Sequence, residues 1–193
     1  IDRDGLFAIF RRAGLYTVSI SPFSERHSSY WFTAGLNELY NPVGKGGLEG
    51  AEQVEPTVID WLTRNRERDN WFLHVNLWDP HTPYRVPMDY GNPFEHEPAP
   101  DWLTQEKLDE HRKSFGTHSA ADVMTFMNPG LNQRCPRVPE DIKTLDDFGQ
   151  WIDGYDVGIR YADDTIGRIL ALLEQQGVLE DTVIIVTSDH GEN

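Results

Sequence analysis

The stretch that decides the fold is VIIVTSDHGEN, Val183 to Asn193. Four apolar residues in a row, Val183 to Val186, read as a buried strand. They lead directly into Thr187, Ser188, Asp189, His190, Gly191 and Glu192, a polar run placed where strand geometry ends. Just upstream, Ile159, Ala162, Ile166, Ile169, Leu170 and Leu173 keep the 3.6-residue spacing of a long helix that starts near Asp147. Gly177 is suited to close that helix.

The same alternation recurs earlier in the chain. Leu6, Phe7, Ile9 and Phe10 form an apolar helical stripe, and Gly14 is a natural stop. Tyr16, Val18 and Ile20 then alternate with Thr17 and Ser19 as a strand. Residues 22–50 are aromatic and glycine-rich and read as a long loop. A second helix follows, with Pro56 expected in its first turn and Val58, Ile59 and Leu62 on its inner face. In NWFLHVNLW, Asn70 to Trp78, both alternate faces are largely apolar, which predicts an interior strand that breaks at Asp79-Pro80. Residues from about 88 to 146 are rich in proline. Their one clear helix signal is Asp101 to Phe115, so the segment reads as an inserted lid or subdomain.

Helix–strand–helix–strand–insert–helix–strand implies an α/β fold, a mostly parallel sheet sandwiched by helices. Ligands of such sheets bind beyond the carboxyl ends of the strands. The three predicted strands exit into SPFSERH, DPHTPY and DHGEN, so three sets of polar residues are expected on one edge.

The formal charge of −15 argues against nucleic acid or an anionic membrane as the main partner. A small anionic substrate remains compatible, because one metal ion and a few cations can dominate a pocket. Cys135 is the single cysteine and excludes an intrachain disulfide. The apolar runs are too short to span a bilayer. Ile1-Asp2-Arg3-Asp4 has none of the features of a signal peptide, and compartment and oligomeric state are left open. The absent initiator methionine fits a chain that begins inside a longer protein.

Each strand exit carries chemistry. Asp189 and His190 pair a hard carboxylate oxygen with an imidazole nitrogen, donors that suit a divalent cation. His81 sits between Pro80 and Pro83 on a stiff turn, placed to donate to an oxyanion or act as a general acid. Arg26 and His27 offer a guanidinium fork and an imidazole to an anion. Taken singly, each stretch is better read as a helix cap, a surface turn or a solvated loop. Taken together, they would hold a tetrahedral anion against a divalent ion.

The combination TSDHGE, the preceding DDTIGRILALLEQQGVLEDTVIIV and the upstream NLWDPHTPY resembles the sulfatase family of the alkaline phosphatase superfamily. The resemblance is strongest over Asp60–Tyr84 and Tyr155–Asn193. It implies an alkaline phosphatase-like fold, with residues 1–193 as part of a catalytic domain and 88–146 as its inserted lid. It also implies a divalent ion, Ca2+ first and Mn2+ or Zn2+ as alternatives, with Asp189 and His190 as ligands. His81 would contact the sulfate, and His27 with Arg26 would take the place of a family Lys and His. The implied substrate is a small anionic sulfate ester, a sulfated sugar among the candidates. The nucleophile implied is a formylglycine made from a Cys or Ser in a C/S-x-P-x-R motif.

No such motif occurs in this sequence. In RCPRVP the spacing is wrong, since Cys135 is followed directly by Pro136. The early Asp-Asp pair of the family is also missing. The expectation is an internal piece of a hydrolase, inactive alone, with its nucleophile upstream. The rival readings are a phosphonate or phosphate diester hydrolase of the same superfamily and a degenerate binding module that has lost its nucleophile. A phosphomutase is disfavoured by the DPHTPY turn.

Overall fold

The computed structural model describes residues 5–26, 28–42, 50–113, 133 and 135–191. The chain divides into two compact units, residues 1–78 with 162–183, and residues 79–161 with 184–193.

The first unit is built on three parallel strands, β1 (Tyr16–Ile20), β2 (Glu38–Tyr40) and β3 (Trp71–Val75), in the order β2-β1-β3. In the ladder Ser19 lies opposite His74 and Ile20 opposite Val75, so the carboxyl ends of β1 and β3 lie side by side. Helix α1 (Leu6–Arg12) covers one face, where the Phe7 ring centroid lies 5.7 Å from both Phe72 and His74. Helix α3 (Ala51–Arg64) covers the other. There Val18 and Ile20 pack with Val54, Val58, Trp61, Leu62 and Leu173 in the main core. The sheet is therefore covered on both sides, as an apolar parallel sheet requires.

Three details differ from the sequence reading. The loop expected over 22–50 contains a short helix, α2 (Phe23–Arg26), and the edge strand β2. Helix α3 starts at Ala51, so Pro56 lies in its second turn. The start is set by Gly50, whose backbone N–H donates to Gln53 Oε1 at 2.9 Å. Trp61, fully buried, takes the inner position expected of Ile59.

The second unit has its own core, in which Tyr84, Leu108, Cys135, Val138 and Ile142 pack with Leu145, Phe148, Trp151 and Tyr155. Helix α4 (Gln105–Lys113) lies within the helical signal expected at 101–115. Arg137 is 7 % exposed and donates from Nε to Val86 O and from Nη2 to Pro87 O, at 2.8 and 2.6 Å. Helix α5 (Leu145–Gln175) supplies its first half to this unit and its second half to the first. Thr144 and Asp147 cap its start reciprocally: the Asp147 N–H donates to Thr144 Oγ1 and the Thr144 N–H to Asp147 Oδ2. Among the described residues no helix is long and apolar enough to cross a membrane.

The expected last strand is not a strand. Residues 183–186 have no regular secondary structure and pair with no neighbour among the described residues, and they are 43–86 % exposed. Apolar side chains favour an extended segment only where a neighbouring backbone completes the ladder. That neighbour is not among the residues described.

Candidate active site

His81, Asp189 and His190 all belong to the second unit. The imidazoles of His81 and His190 stand with ring centroids 6.1 Å apart and planes at 71°. His81 Nδ1 is 2.6 Å from Thr82 O, and His190 Nδ1 is 2.9 Å from Gly191 O. A carbonyl oxygen only accepts, so in both rings Nδ1 carries the hydrogen. Nε2 is then the unprotonated nitrogen of each neutral ring. This is the arrangement in which a metal-binding histidine is oriented by its own second hydrogen bond.

Asp189 Oδ1 accepts the His190 backbone N–H at 3.0 Å, while Oδ2 lies 3.8 Å from His190 Nε2. Two atoms each about 2.2 Å from a shared ion stand at most about 4.4 Å apart, so this spacing fits a common cation. The two side chains are 81 and 60 % exposed. Among the described residues no cluster of three or more His, Cys, Asp or Glu forms a metal site. Asp189 and His190 therefore fit a divalent ion in donor type and spacing.

The turn that carries His81 is anchored at both ends. Asp79 is 1 % exposed and Tyr84 is fully buried, with its ring against Trp151 and Tyr155 of α5, centroids 5.1 and 6.2 Å away. The prolines on either side of His81 act within that anchored segment.

In the first unit, the carboxyl edge of β1 and β3 carries Ser21, α2 and Asn76. Ser21 Oγ accepts the Phe23 N–H at 3.1 Å and opens α2, which ends at Arg26. His27 lies outside the described residues, and of Arg26 only the backbone is described. The sequence reading missed Asn76. Its backbone N–H donates to Ile20 O at 3.2 Å, and its Oδ1 is buried with no hydrogen-bond partner among the described residues. An orphan acceptor past a strand end is the signal that could have singled it out, but inside NLW it reads as one more strand residue. Cys135 is 4 % exposed within the core of the second unit.

A helix-covered parallel sheet followed by a histidine–aspartate cluster defines an α/β domain of the alkaline phosphatase-like kind. The chain belongs to the sulfatase family, whose profile it matches over residues 2–193. It is 25 % identical over 186 residues to "Multifunctional alkaline phosphatase superfamily protein PehA" of Trinickia caryophylli, an alignment covering 87 % of this chain and 33 % of that protein. It is 25 % identical over 152 residues to an arylsulfatase of Clostridium perfringens, covering 73 % of this chain and 27 % of the relative. With human iduronate 2-sulfatase it shares 26 % identity over 155 residues, 77 % of this chain and 26 % of the relative. The chain thus spans about a quarter to a third of the length of these relatives. No solved structure matches it at a significant level. The family consists of hydrolases acting on sulfate esters and is in general metal-dependent.

Proposed function

We propose that these residues form part of the catalytic domain of a sulfuric ester hydrolase. Asp189 and His190 hold a divalent cation, Ca2+ first and Mn2+ or Zn2+ as alternatives, and His81 contacts the sulfate. When bound, the ion neutralises charge on the sulfate oxygens and polarises the ester. With His81 Nδ1–H committed to Thr82 O, Nε2 donates to an oxyanion only in the imidazolium form. An Nε2–H in that position can donate to the sulfate and pass its proton to the leaving oxygen. Arg26 and His27 are assigned to the anion at the end of β1, and residues 88–146 to the lid that selects among small sulfate esters such as sulfated sugars. The nucleophile is a formylglycine contributed from outside these 193 residues, and the piece alone does not turn over substrate. The partial coverage of each relative supports that reading.

The observation that carries it is the pairing of His81 with His190, both rings tied by Nδ1 to carbonyls. Calorimetric titration of the chain with Ca2+ and with Mn2+ tests the ligands. Asp189→Ala and His190→Ala should each weaken binding by about tenfold or more, and unchanged affinity in both sinks the assignment. In the natural protein that carries this chain, His81→Ala should lower kcat/KM on an aryl sulfate by about 10²–10³.

A second reading, a phosphonate or phosphate diester hydrolase, is favoured by the imidazole in the ligand pair and by the likeness to the multifunctional relative. Matched aryl sulfate and aryl phosphodiester substrates decide between the two.

A further inference from the structure

One face of α5 runs through Trp151, Gly154, Tyr155 and Gly158, residues spaced i, i+3, i+4, i+7. A Cβ placed on Gly158 would lie 2.4 Å from Asp79 O and 2.9 Å from Pro80 Cα. On Gly154 it would lie 2.6 Å from the Tyr84 ring. The segment 79–84 therefore rests directly on the helix backbone, with no room for a methyl group. The same face also lies beside Gly191, the residue after the other imidazole. The Tyr155 hydroxyl lies 3.8 Å from the point where a Gly191 Cβ would sit, and Gly191 O is the acceptor that orients His190.

We propose that Gly158 is a positioning residue that sets the distance between the His81 and His190 imidazoles, by letting the Asp79–Pro80 backbone seat on α5. The His81 ring follows its backbone closely, because Nδ1 is tied to the adjacent carbonyl. Relieving a 2.4 Å contact to ordinary van der Waals distance moves that backbone by about 1 Å, a displacement that costs about 10²-fold in a positioned site. The competing account is that Pro80 and Pro83 stiffen the turn unaided. The catalytic consequence rests on the sulfatase reading above; the geometric one does not.

The test compares Gly158→Ala, Pro80→Ala and Gly167→Ala. Gly167 lies on the same helix with nothing within 4 Å of an added Cβ, so its replacement controls for helix propensity. Nuclear Overhauser contacts between the two imidazoles are read in each folded variant. Because their intensity falls with the sixth power of distance, they should weaken several-fold in Gly158→Ala and hold in Pro80→Ala and Gly167→Ala. Unchanged intensity in Gly158→Ala, or a like weakening in Pro80→Ala, overturns the proposal. Should Gly158→Ala not fold, Pro80→Ala decides by itself. In the natural protein, Gly158→Ala should lower kcat on an aryl sulfate about 10²-fold with metal affinity unchanged. A wild-type protein inactive on that ester, in which Gly158→Ala still separates the rings, sinks the sulfatase reading and leaves the positioning role standing.

Discussion

Ser19 Oγ and His74 Nδ1 meet at 2.9 Å across opposed residues of β1 and β3. Ser19 is fully buried, and the Phe7 ring lies edge-on to the imidazole. Burial favours the neutral ring, so the His74 pKa is held below its ordinary value of about 6.5. A group with a depressed folded pKa binds its proton more readily in the unfolded chain, and protonation therefore drains stability. The contribution of His74 is complete above about pH 6.5 and is lost as pH falls below it. The urea midpoint should drop between pH 7.5 and 5.5, and His74→Asn should flatten that drop. The carboxylates Glu38, Asp141 and Asp147, whose pKa values are also lowered, act in a more acidic window. An equal midpoint at both pH values for the unmodified chain would show that His74 does not titrate against the fold.

Glu38 fastens the edge strand. Its carboxylate accepts from Tyr16 Oη at 2.6 Å and from Tyr40 Oη and Trp61 Nε1 at 2.8 Å each. Burial pushes its pKa up, but these three donors outweigh burial and keep the group ionised. Glu38→Ala strips the acceptor from three donors at once, one of them on the fully buried Trp61. A loss of about 3 kcal/mol is expected by urea denaturation, against about 1.5 kcal/mol for Trp61→Phe if the ring packing holds. A Glu38→Ala loss under about 0.5 kcal/mol, the size of an ordinary surface change, would show the network to be incidental.

The same network explains why β2 was not legible in the sequence. Glu38-Leu39-Tyr40 is three residues long and includes an acid. Two of the three donors that secure it come from side chains more than twenty positions away along the chain. By contrast β1, β3, α3 and α5 follow from periodicity, because their apolar faces coincide with the core that forms. That DPHTPY and DHGEN carry polar chemistry was legible in the sequence; that the rings of His81 and His190 stand 6.1 Å apart is read only from the structure. Gly158 was invisible, since a glycine on a helix shows its purpose only once the backbone resting on it is known.

Val183 to Val186 read as a strand for a sound reason, and the failure of that reading has a consequence. Apolarity says that a segment favours burial, not that a partner strand is there. Val183, Ile185 and Val186 are 86, 75 and 69 % exposed, a short run of high β-propensity with no charge. Such a run binds hydrophobic dyes and promotes association. Ile185→Lys should reduce dye fluorescence and light scattering while changing stability by less than about 0.5 kcal/mol. A loss of several kcal/mol would instead mean that the side chain is packed in solution.

Two glycines on one helix should respond in opposite directions. Gly177, at φ +72°, closes α5 with its N–H to Glu174 O at 2.9 Å and the following Val178 N–H to Leu173 O at 3.0 Å. This is the paired hydrogen-bond pattern of a left-handed helix cap. Nothing lies within 4 Å of an added Cβ there, so an alanine meets only its own conformational penalty. Gly177→Ala should cost about 1 kcal/mol. Gly167, inside the helix and equally open, should gain about 0.5–1 kcal/mol when replaced by alanine. Thermal melts of the two variants should therefore shift to opposite sides of the parent chain. Shifts of the same sign would mean that Gly177 is not held in the left-handed region when the protein is in solution.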